Sequence, residues 1–152
     1  MAEPTARLEI PPAPPSFDAL VDWFDRLSTD LVLLAEYPLG GVGAAAAEFD
    51  RQVRNHLSEF EVRLRSRRPR TPAERDAHAL LHADHAWFEV SLDQLRWFLS
   101  IVAHDDHGGH RQALGQYGRV LAEALRRHRR EERAVIPESA VPGAGEGAAG
   151  KS

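Results

Sequence analysis

Leu121-Ala-Glu-Ala-Leu-Arg-Arg-His128-Arg-Arg-Glu131-Glu132-Arg-Ala-Val-Ile136-Pro137 is the stretch from which the rest of the chain can be read. Leu121, Leu125, His128, Glu132 and Val135 recur at spacings of four, three, four and three, which puts them on one face of one helix. Pro137 stops that helix, because proline brings no N–H to the ladder. An imidazole and a carboxylate on an otherwise apolar face are costly to bury alone and need a partner or a metal. One turn apart, they can bind the same ion, since His nitrogen and carboxylate oxygen suit iron, manganese or zinc.

Working outward, the same period appears in three more segments. Ser16 is a candidate N-cap with Asp18 in the first turn, and Leu20, Trp23, Phe24, Leu27, Leu31 and Leu34 form an apolar stripe behind it. That helix is expected to end around Glu36 to Pro38, with Leu39-Gly-Gly-Val-Gly43 as a connecting loop. A second helix is expected from Ala44 through Phe49, Val53, His56 or Leu57, Phe60 and Leu64. Thr71-Pro72-Ala-Glu74 is a capping box with proline at the first helical position. The third helix follows to Ala103, turning Leu81, His85, Phe88, Leu92, Leu95 and Phe98 or Leu99 inward. His104 to His110 reads as the last turn, and Leu114 and Tyr117 lead into the opening stretch.

No segment alternates as a strand would. Four helices with short connections predict an all-α, up-down-up-down four-helix bundle. The halves also repeat. Asp22-Trp-Phe-Asp-Arg-Leu and Asp84-His-Ala-Trp-Phe-Glu take the same place in helices one and three, as His56 and His128 do in helices two and four. The bundle is therefore read as two helical hairpins of one plan. It is expected to occupy residues 16–137. Residues 1–15, with five prolines, and the Gly/Ala-rich 138–152 are expected to be disordered tails.

With no cysteine, the chain has neither disulfides, thiolate metal sites nor a Cys nucleophile. No Gly-x-Ser-x-Gly elbow or phosphate-cradling loop occurs either, so no catalytic constellation is read and the protein is not expected to be an enzyme. No apolar run approaches a membrane span and no signal pattern opens the chain, which predicts a cytoplasmic protein. A net charge of −4 exerts no pull on nucleic acid. Arginines do cluster at 63–70 and 126–133, near one end of the bundle, where they also suit helix C-termini. Trp87 and Trp97 read as core or interface residues, and the oligomeric state is left open.

A His on helix two (His56), an Asp84-His85 pair on helix three, and His128-x-x-Glu131-Glu132 with an apolar pair and Pro137 on helix four resemble the hemerythrin-like, HHE cation-binding family. The resemblance covers nearly the whole bundle. It implies a non-haem iron centre between the helices and a role in binding, sensing or storing oxygen or iron. The implied metal ligands are His56, His85, His128 and Glu132, with Glu59 as a fifth candidate. The implied small ligand is dioxygen or another diatomic.

The match is partial. The family's second-helix carboxylate lies four residues after its His, where this chain has Phe60. Glu59 is about 60° short of that direction, at roughly 100° per residue. The register set by Asp84-His85 puts Trp23 where the family's first helix carries a His. The set suffices for a mononuclear ion with an open position. The alternative is a metal-free bundle, its centre filled by Trp23 and Phe60, acting as a structural or protein-interaction module.

Overall fold

The computed structural model describes residues 9–34, 39–104 and 108–137. Its four helices are α1 (Phe17–Leu33), α2 (Leu39–Ser66), α3 (Pro72–His104) and α4 (Gly108–Val135), and no strand occurs among the described residues. None of these helices is long and apolar enough to cross a membrane. Both forecast caps form: Ser16 Oγ accepts from Ala19 N at 3.2 Å, and Thr71 Oγ1 accepts from Glu74 N at 3.1 Å. The Glu74 carboxylate returns to the backbone N–H of Arg70, one residue before the position of a reciprocal capping box.

Cross-helix pairs fix the directions. Phe24 stacks on Phe49 and Phe17 on His56, so α1 and α2 are antiparallel. Arg54 reaches Asp93 and Arg96 reaches Asp50, so α2 and α3 are antiparallel as well. Tyr117 donates to the Ser91 carbonyl, and Arg126 pairs with Asp22, which closes the ring through α4. This is the up-down-up-down bundle. Phe24, Phe49, Phe88, Leu92, Leu121 and Leu125 fill its middle, all 3 % exposed or less. Leu34, the forecast end of the first stripe, is 39 % exposed.

α1 and α4 approach most closely, through glycine. A Cβ on Gly115 would stand 2.5 Å from the Ser28 carbonyl oxygen, and one on Gly118 would stand 2.1 Å from Ser28 Oγ. The first obstacle is backbone and cannot swing away. Gly115→Ala should therefore destabilise by about 1–3 kcal/mol, despite a gain of about 1 kcal/mol in helix propensity. Gly43→Ala meets nothing within 4 Å and should stabilise by roughly 0.5–1 kcal/mol. Denaturant titration of the two variants checks the opposite signs.

Four expectations change. Leu39 to Gly43 is the first turn and more of α2, not a loop. The glycines suggested a break, but Val42 and Ala46 continue the buried period into Phe49 and Val53. The last turn is likewise shorter than His104 to His110: α3 ends at His104 and α4 starts at Gly108, with 105–107 outside the described residues. The proline-rich segment is placed from residue 9 onward, with Ile10 and Ala13 packed on the core; residues 1–8 and 138–152 lie outside the described residues.

Trp23, finally, does not fill the centre. It is half-buried, and its Nε1 donates to the Pro11 carbonyl at 2.9 Å. Indole N–H needs an acceptor when buried, and the adjacent extended segment supplies one.

Candidate metal centre

α2, α3 and α4 each bring side chains to a point in the last third of α4. His128 and Glu132 lie one turn apart on the inner face of α4, 1 % and 0 % exposed, and His85 on α3 is 7 % exposed. His85 Nε2 is 3.1 Å from His128 Nε2, which is itself 2.9 Å from Glu132 Oε1. These three residues each offer a ligand atom within 4.8 Å of the others. His56 on α2 enters from the opposite helix, its Nε2 2.8 Å from Glu132 Oε2. Four of the five residues singled out in the sequence thus meet.

The fifth does not. Glu59 is exposed and lines a surface cleft with His56 and Phe17. The carboxylate that α2 contributes is Glu61, 140° around the helix from His56 and facing α3. Its Oε2 holds His85 Nδ1 at 2.8 Å, and its Oε1 holds His82 Nδ1 at 2.7 Å. Asp84 plays the corresponding part for the other imidazole, its Oδ2 3.1 Å from His128 Nδ1. A sequence signal for Glu61 existed in the i, i+3 pair His82 and His85, which offers two imidazoles to one neighbouring carboxylate.

The outward nitrogens of His85 and His128 are therefore each held by a carboxylate, and both Nε2 atoms face inward beside Glu132. Packing completes the orientation. Phe88 lies edge-on to His128 at 5.1 Å and Phe60 edge-on to His85 at 5.9 Å, while Phe17 stacks flat on His56 at 3.8 Å. Phe60 is 2 % exposed and sits with Leu64, Leu81 and Ile136, so it forms an apolar wall beside His85.

The electrostatics follow from these contacts. Burial pushes the Glu132 carboxyl up, but hydrogen bonds from His128 and His56 outweigh it and hold it at about 2. Burial pushes His128 down, and Glu132 and Asp84 more than reverse that, so its net shift is upward. His85 goes the other way: burial and the charge of His128 lower it, against the pull of Glu61. Without a metal, the single His128 Nε2 proton is shared between Glu132 Oε1 at 2.9 Å and His85 Nε2 at 3.1 Å. His128 is the cation, donating to Asp84 and Glu132, while neutral His85 donates from Nδ1 to Glu61 and accepts at Nε2.

The same atoms fit a metal. Ligands at 2.0–2.1 Å from a common ion stand about 3 Å apart when adjacent, and the separations here are 2.9 and 3.1 Å. Two clefts lead toward the cluster from outside. One of about 450 Å³ ends at His56, and one of about 380 Å³ between α2 and α3 ends at His85.

One arginine joins the cluster: Arg129 Nη1 donates to Glu132 Oε2 at 3.2 Å. His82 is mostly exposed and shares the Glu61 carboxylate and the α2–α3 cleft with His85; Glu89 lines the same cleft and pairs with Arg54, while His78 lines a separate pocket at the α2–α3 turn. His104 donates to the Ser100 carbonyl. Arg126 pairs with Asp22 and Asp25, and Arg133 with Asp18, which ties α4 to α1. No family model, no curated protein and no solved structure matches the chain.

Proposed function

We propose that this chain is a hemerythrin-like bundle that holds one transition-metal ion, iron, through His85 Nε2, His128 Nε2 and Glu132, with His56 as the fourth donor. The observation that carries this reading is the pair of carboxylates behind the two central imidazoles. Histidine that binds metal characteristically donates its other ring N–H to a carboxylate, which fixes the ring and the tautomer. Glu61 on His85 and Asp84 on His128 have that geometry, and both inward nitrogens converge beside a fully buried glutamate.

Two nitrogens, one carboxylate and a further imidazole suit iron, manganese or zinc. Iron is favoured by the resemblance in the motifs. When bound, iron supplies an open coordination position for a small diatomic, and the role is oxygen, redox or metal sensing or storage rather than turnover. The chain's own residues set the conditions. Phe60, Phe88 and Phe17 pack against the imidazoles, while Glu61 and Asp84 orient the rings. Glu132 stays ionised over the physiological range, as a ligand must.

A metal-free interaction module is the second reading. The observation in its favour is that His56 Nε2 and both nitrogens of His85 and His128 already have protein partners. Elemental analysis separates the two, using untagged protein grown with iron beside a His128→Ala/Glu132→Ala variant. We expect one metal per chain, lost in the variant. Two per chain would mean that Asp84, Glu131 or Glu61 completes a dinuclear site. No stoichiometric metal in the wild type would leave the metal-free reading.

A further inference from the structure

The outward face of α3 bears a seam that the bundle does not use. Leu80, Ala83, Trp87, Val90, Gln94, Trp97 and Ile101 follow one another at alternating spacings of three and four. Leu80, Trp87, Val90 and Trp97 are 66, 50, 58 and 60 % exposed. The inward residues Leu81, His85, Phe88, Leu92 and Leu95 point the opposite way. An apolar stripe of strict three–four spacing, sustained for three heptads, is the pattern of a helix that packs along another helix.

Charge makes the seam unusual. An ordinary solvent-facing helix carries ionic residues, as α4 does with Arg119, Glu123, Arg127 and Arg130. The seam has none. Asp84, Glu89, Asp93 and Arg96, the charged residues of α3 between Leu80 and Ile101, lie beside the seam and pair with the neighbouring helices instead. Asp84 goes to His128, Glu89 and Asp93 to Arg54, and Arg96 to Asp50. Val120 on α4, 65 % exposed and one turn beyond Tyr117, widens the apolar face on its α4 side.

We propose that this face is the dimer interface of the protein, with α3 packed antiparallel on α3 of a second copy. Self-pairing fits the register. In an antiparallel pair about a two-fold axis near residue 92, Trp87 meets Trp97 of the partner subunit and Ala83 meets Ile101 of the partner subunit. Val90 likewise meets Gln94 of the partner subunit. A two-fold makes each contact twice, and a seam without charge brings no like charges together.

The area is adequate. From Leu80 to Ile101 the seam spans about 32 Å, and α3 with its α4 flank is roughly 20 Å wide, giving about 640 Å² of projected surface per copy. Side-chain relief brings that close to the ~800 Å² per partner of an ordinary stable complex. Gln94, whose Oε1 accepts from the Tyr117 hydroxyl at 3.0 Å, is the one strongly polar group in the seam. A lone polar residue of this kind sets register and orientation in paired helices.

Sedimentation velocity of the full chain at micromolar concentration should report a dimer of 16.9 kDa subunits. Trp87→Glu/Trp97→Glu should give a monomer of unchanged helicity, because both side chains are already largely exposed in the single chain. Orientation has its own test, since the chain has no cysteine. Ala83→Cys/Ile101→Cys should form a covalent dimer on mild oxidation. Within one chain those positions are about 27 Å apart, beyond any disulfide. A wild-type monomer, or a dimer that survives both glutamates, overturns the proposal. A dimer that fails to cross-link overturns the antiparallel arrangement.

Discussion

Replacing Glu132 with alanine should lower the unfolding free energy of the metal-free protein by about 3–5 kcal/mol, the scale for stranding one partner of a buried ion pair. Glu132 is fully buried and takes His56, His128 and Arg129 on its two oxygens. Without it, His128 keeps only Asp84 as counter-charge. The loss has a pH signature. The Glu132 carboxyl has a folded value of about 2 against an ordinary 4.5, so its contribution is complete above pH 4.5 and fades as pH falls toward 2. His128 is shifted upward from 6.5, so its contribution is complete below pH 6.5 and fades as pH rises through its folded value. The gap between wild type and Glu132→Ala should therefore be widest between pH 4.5 and 6.5. Urea titrations at several pH values measure it. A gap that stayed constant from below pH 4.5 to above pH 6.5 would mean that alanine costs packing volume and not charge.

The helices were legible because burial imposes a period that local sequence cannot hide. Leu121, Leu125 and His128 keep it, and so do Leu81, His85, Phe88 and Leu92. The caps were legible because Ser16 and Thr71 have one geometric use in their settings. The start of α2 was misread for a physical reason: glycine signals a break only where nothing else is buried, and Val42 is. His56, His85, His128 and Glu132 could be grouped from helix spacing and the resemblance together. Trp23 could not be placed by matching the two hairpins, because α1 meets α4 through Gly115 and Gly118 and turns its indole toward Pro11. Repetition in sequence does not require repetition in space. Glu61 escaped for a related reason, since its partner is fixed by the α2–α3 packing and not by any spacing along α2.

If iron binds where the geometry of these side chains favours it, Glu61→Gln should weaken the binding by about 10–100-fold while leaving the bundle folded. The substitution keeps the size of the side chain but removes the charge that polarises His85 through Nδ1, 2.8 Å away. Asp84→Asn should act in the same direction on His128 but less strongly. Asp84 is 39 % exposed against 18 % for Glu61, so water screens its charge and can replace its hydrogen bond. Competition against a chromophoric chelator gives both affinities. Equal losses at the two positions would mean that exposure does not control the effect. Wild-type affinity in Glu61→Gln would mean that Phe60 and Phe88 alone hold the rings, and the carboxylate would then serve to tie α2 to α3. In that case the same variant should lose stability without metal, whereas a carboxylate that works through His85 loses most of its effect when the ion is absent.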